Sequence, residues 1–78
     1  MALSIKPYIQ NKERIHLIGI GGVSMSSLAE LLLSLDVPVS GSDRLKTDVT
    51  ARLEAMGAKI VYEHKAENVE GASLIVRT

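Results

Sequence analysis

Three glycines, Gly19, Gly21 and Gly22, break an apolar run in the stretch IHLIGIGGVSMSSLAELL, which starts at Ile15. The chemistry open to such a turn is anion binding. Glycine tolerates positive φ and lets a backbone approach a ligand with no Cβ in between. The first turn of a following helix leaves about four N–H groups unpaired and carries partial positive charge, a seat for phosphate. Ser24 and Ser26 supply hydroxyl donors at the same place. A side chain at Gly21 is expected to project into the phosphate space, so Gly21→Val should abolish nucleotide binding with the fold mostly intact. The dinucleotide fingerprint G-x-G-x-x-G needs a third glycine at position 24, which is Ser24. A tight β-α turn with no ligand is the alternative.

Asp43, in the triplet GSD at 41–43, lies roughly 20 residues past the glycines, where an acidic side chain can accept from ribose hydroxyls. It can equally cap the turn that follows it. Arg44 beside it could meet a 2′-phosphate or stand in solvent. His16 falls inside the apolar run and reads as a partly buried, satisfied side chain. His64 follows a later strand on the same edge as Gly21 and Asp43, and reads either as a ligand contact or as an exposed loop residue. The sequence holds no carboxylate pair, no Ser-His-Asp constellation and no GxxxxGK[ST] phosphate loop. Catalytic residues are therefore not expected.

Positioning these residues requires strands alternating with helices. RIHLIG (14–19) is continuously apolar enough for a strand covered on both faces, hence a parallel sheet. From Gly22 to Leu35 the period changes: Met25, Leu28, Ala29, Leu32 and Leu35 form one apolar helical stripe, with Met25 at its ligand end. Val37–Asp43 predicts a second strand, with Pro38 near its start. Asp48–Met56 predicts a second helix, with Thr47 as N-cap and Gly57 just past its end. Ala58–Glu63 and 72–78 predict the third and fourth strands, joined by a polar connection. The first 13 residues, punctuated by Pro7, read as a lead-in. The fold class is α/β: a Rossmann-like doubly wound parallel sheet, partial, with about four strands and two main helices. The break after Thr78 predicts a truncated domain spanning 14–78.

Composition narrows the class further. A chain of 78 residues is at most one small domain, and it buries only roughly 60–65% of its extended surface. Nine basic residues balance nine acidic ones, which argues against a nucleic-acid or membrane-surface binder. With no cysteine, a disulfide framework and thiolate metal sites are excluded. The N-terminus does not have the form of a signal peptide, and no apolar run approaches the ~20 residues of a membrane span. The expectation is a soluble cytoplasmic polypeptide.

The sequence HLIGIGGVSMSSLAELLLSL, followed by VSGSD, RLEAMGAKI and EGASLIVRT, resembles the Mur ligase family, from about Arg14 to Thr78. The specific part is the glycine doublet before Met25-Ser26, with GSD after the next strand. Ser24 and Ser27 stand where the family pattern has glycine, and Glu63 precedes His64 where relatives show Gly-His. The resemblance implies the amino-terminal, UDP-holding domain of a three-domain enzyme of peptidoglycan (cell wall) biosynthesis. That enzyme joins L-alanine to UDP-N-acetylmuramate, using ATP and magnesium to activate the muramate carboxylate as an acyl phosphate. By position, it implies that Gly21, Gly22, Val23, Ser24, Met25 and Ser26 lie along the pyrophosphate. Ser42 and Asp43 would lie near the uridine ribose, His64 near the nucleoside, and Thr78 would open a substrate-facing loop. The segment itself would bind no cofactor and hold no metal, the ATP-binding residues lying beyond Thr78.

Two other readings stay open at this point. An NAD(P)-binding Rossmann module uses the same strand-turn-helix physics. A non-catalytic interaction fragment would pair through an open sheet edge, with itself or with another chain.

Overall fold

A computed structural model describes residues 6–63 and 71–77. Its elements run α1 (Lys6–Gln10), β1 (Ile15–Ile18), α2 (Val23–Ser34), β2 (Val39–Ser42), α3 (Asp48–Ala55), β3 (Lys59–Val61) and β4 (Leu74–Val76). All strand pairs are parallel and the sheet order is β3-β2-β1-β4. The chain steps outward from β1 to β3 and then returns to the other side of β1. The β1/β4 junction is therefore the switch point, beside which α/β proteins of this topology bind ligands at the strands' carboxyl ends.

Ile15 pairs with Val39 and Leu17 with Gly41, and on its other side β1 pairs the same two residues with Leu74 and Val76, so these positions share one face of the sheet. The apolar positions of that face join Met25, Ala29 and Leu32 of α2 and Leu53 of α3 in one buried cluster. Both crossover helices thus cover the same face, and they contact each other. Of the intervening positions on the two inner strands, His16, Ser40 and Ser42 are polar and buried. His16 and Ser40 are buried side by side, with His16 Nδ1 2.9 Å from Ser40 Oγ, and Arg14 Nη1 donates to the same hydroxyl at 2.6 Å. His16, expected to be partly buried, is fully buried, with Ser40 as the partner of its Nδ1.

Local chemistry sets the element ends. Thr47 caps α3 in a reciprocal box: Thr50 N–H donates to Thr47 Oγ1 and Thr47 N–H donates to Thr50 Oγ1. Gly57, at φ 113°, leaves the helix in a conformation that side chains resist. Beyond the last turn of α2, the Lys12 ammonium donates to the carbonyl of Leu35, a cation at the negative end of the helix.

The lead-in contains an element that the sequence pattern did not show. Lys6–Gln10 is a one-turn helix with Pro7 in its first turn, where a missing N–H costs nothing. Tyr8 and Ile9 pack against the core from it. Five residues are too few to display a 3.6-residue period, which is why the pattern was silent. The two inner strands are also shorter at their ends than expected, because Pro38 cannot donate to the ladder and Gly19 turns away at φ 79°. No helix among the described residues is long and apolar enough to cross a membrane.

Candidate functional site: the turn between the first strand and its helix

Because the strands are parallel, their carboxyl ends bring Gly19–Gly22, Asp43 and Tyr62 to one edge of the sheet. The glycine turn is stitched to the end of β2. Gly19 and Ile20 N–H both donate to the Ser42 carbonyl, at 2.8 and 3.1 Å. Gly21 N–H donates to Asp43 Oδ2 at 2.8 Å, and Gly22 N–H folds back onto the Gly19 carbonyl at 3.0 Å. Four successive amides of the turn are thus committed within the protein.

The donors that face outward come next along the chain. Gly22 is the N-cap of α2, in extended backbone, and no side chain caps the helix. The first turn contains no acidic residue, and Val23 is 88% exposed. Helical bonding starts with Ser26 N–H on the Gly22 carbonyl at 2.7 Å. The Val23, Ser24 and Met25 amides therefore point out of the mouth of α2, where the partial charges of the helix favour an anion. By contrast, α3 starts at the same edge with its mouth closed by Thr47 and with Asp48 in its first turn.

The serines divide. Ser24 is exposed at the mouth, whereas Ser26 is buried and its hydroxyl donates to the Val23 carbonyl at 3.1 Å. Ser27 makes the same kind of bond at 3.0 Å. The Met25 side chain is in the core, so only its backbone is available at the mouth. Ser42 is buried and contributes its carbonyl to the turn. Asp43 is half-buried, and both of its oxygens meet backbone amides: Gly21 at Oδ2, and Leu45 at Oδ1 at 3.1 Å. The turn-capping geometry of Asp43 is therefore present in the fold. His64 and Thr78 lie outside the described residues.

One expectation is corrected. A Cβ at Gly21 would not enter phosphate space: it would stand 2.8 Å from Asp43 Oδ2 and 3.1 Å from the Thr50 methyl. Gly21 is a glycine so that the carboxylate can approach, and a valine there would disturb the protein itself. Gly41 has a comparable role. A Cβ on it would be 2.6 Å from Ile20 Cδ1 and 2.9 Å from the Leu17 carbonyl, so the middle residue of the turn, Ile20, packs flat on β2.

Sequence reasoning passed over Tyr62, which stands directly after β3 on the same edge. Its phenol donates to Glu54 Oε1 at 2.8 Å, and the Lys46 ammonium lies 5.8 Å from its ring centroid. The nearby Thr50 hydroxyl pulls the phenol pKa down. Desolvation and the Glu54 and Asp43 carboxylates outweigh it and leave the pKa raised. The clue was its place just before Glu63-His64, at the carboxyl end of a parallel strand.

Comparison with known proteins supplies the decisive observation: residues 14–78 match the family model described as "Mur ligase family, catalytic domain". The chain belongs to the Mur ligase family. Among curated Mur ligases, it is 55% identical over 64 residues to a UDP-N-acetylmuramate–L-alanine ligase of Koribacter versatilis (strain Ellin345), covering 82% of this chain and 14% of that relative. It is 48% identical over 68 residues to the ligase of the same name from Clostridium novyi (strain NT), covering 87% of this chain and 15% of the relative. A solved structure of a murein peptide ligase from Psychrobacter arcticus superimposes with a TM-score of 0.78 at 31% identity, over 83% of this chain and 14% of that one. The chain thus spans about a seventh of the length of these Mur ligases.

Proposed function

We propose that this chain is the UDP-N-acetylmuramate-binding segment of an ATP-dependent ligase that joins L-alanine to that substrate in peptidoglycan biosynthesis. The observation that carries the reading is the uncapped mouth of α2 at the switch-point edge, in a chain 48–55% identical to ligases of that name. The diphosphate lies against the Val23, Ser24 and Met25 amides, with the exposed Ser24 hydroxyl beside them. Gly21, Gly22 and Ser26 shape the seat rather than donate to it. Ser42 and Asp43 hold the turn on the ribose side, and, as the family resemblance implies, His64 serves the nucleoside and Thr78 the substrate.

The chain's own residues bind and orient the UDP group. ATP and magnesium, held by the rest of the longer protein, supply the activation of the muramate carboxylate for attack by L-alanine. The lack of cysteine is in keeping with work in the cytoplasm.

The reading is tested by following backbone amide signals while UDP-N-acetylmuramate and, separately, NAD(H) are added to the chain. Saturable shifts at Val23, Ser24 and Met25 with the UDP-sugar are expected. The same shifts with NAD(H) alone would overturn the reading, as would an unresponsive mouth.

A further inference from the structure

We propose that Asp43 is a positioning residue for the diphosphate: it acts through the backbone of Gly21 and not by hydrogen-bonding the nucleotide's ribose. The inference rests on the diphosphate reading given above. Three successive amides of the turn, those of Gly19, Ile20 and Gly21, are fastened to two successive residues at the end of β2. Ser42 contributes a backbone carbonyl to this latch, whereas Asp43 contributes a carboxylate. A backbone contact survives substitution; the carboxylate contact does not.

The carboxylate is aimed into the protein. Oδ2 meets Gly21 N–H at 2.8 Å and Oδ1 meets Leu45 N–H at 3.1 Å, so one side chain ties together the turn before α2 and the turn before α3. Its own backbone is fixed in turn, Asp43 N–H donating to the Val61 carbonyl at 3.1 Å. Gly21 is matched to it, because any Cβ at position 21 would fall 2.8 Å from Oδ2. The next residue, Gly22, is the N-cap from which the three outward amides are aimed. Releasing Gly21 therefore tilts the donors of the anion seat. Two amide donors on the carboxylate also neutralise part of a negative charge that would otherwise repel a diphosphate nearby.

The test compares the affinities of the wild-type chain, Asp43→Asn and Gly21→Ala for UDP and for 2′,3′-dideoxy-UDP by calorimetry. Asparagine can keep only one of the two acceptors, since its NH2 meets an N–H head-on. Under the proposal, Asp43→Asn weakens both nucleotides by the same factor, roughly tenfold. Gly21→Ala does likewise, and the double variant is no weaker than either single variant, because the same latch is broken in each case. A loss seen with UDP but absent with dideoxy-UDP would overturn the proposal in favour of a direct ribose contact, and so would undiminished binding of both. If Asp43→Asn does not fold, Gly21→Ala carries the same comparison, since it also displaces the carboxylate. A wild-type chain that binds neither nucleotide would sink the diphosphate reading as well. Ribose-dependent loss in a chain that binds UDP sinks only the role of Asp43.

Discussion

At the scale of single residues, the site edge is a set of polar groups each held by another, and Tyr62 gives this a measurable consequence. Its phenol pKa is raised from 10.0 despite the opposing influence of Thr50. A raised folded-state pKa means that the folded chain keeps the proton longer than the unfolded chain does. The associated stability is fully present below pH 10.0 and is lost as pH climbs through the folded value. The chain has two tyrosines, so subtracting the phenolate absorbance of Tyr62→Phe from that of the wild type isolates Tyr62. Its ionisation is expected above pH 10.0, with the alkaline fall in stability shallower in the variant. Ionisation of Tyr62 at or below pH 10.0 in the folded chain would show that Glu54 and Asp43 do not govern the phenol.

At the scale of elements, two helices starting at one sheet edge solve the same problem in opposite ways. α3 satisfies its first amides with Thr47 and Thr50, whereas α2 leaves its own outward. Thr47→Ala should lower stability by about 1 kcal/mol and speed exchange of the Thr50 amide, while Thr47→Ser retains most of the cap. Urea unfolding with amide exchange checks both effects, and an unchanged Thr50 amide would mean that the box contributes nothing. The elements bounded by such chemistry were the legible ones: Thr47 and Gly57 marked α3, and the Met25–Leu35 stripe marked α2, except that Leu35 falls at the C-cap and is exposed instead of continuing the stripe. What the sequence concealed was of two kinds. The helix at Lys6–Gln10 is too short to show a period. The contacts of Gly21 with Asp43, and of Ile20 with Gly41, join residues about twenty apart through a sheet register that no local pattern encodes. The glycines were visible in the sequence; the reason for two of them was not.

At the scale of the whole molecule, four parallel strands leave two edges, β3 and β4, among the described residues. Edge strands offer unpaired backbone groups to any other strand, and short length and lysine are the usual defences. Both edges here are only three residues long, and β3 carries the exposed Lys59 beside the exposed Val61. On the other edge, Ile75 is 45% exposed. Removing the charge from β3 leaves an apolar edge, KIV becoming VIV, whose pairing with a second copy no longer requires burying an ammonium. Lys59→Val is therefore expected to associate at lower concentration than the wild-type chain in sedimentation velocity, with its weight-average coefficient rising as concentration rises. If both chains sediment alike across that range, Lys59 is not what guards this edge, and the brevity of β3 is sufficient by itself.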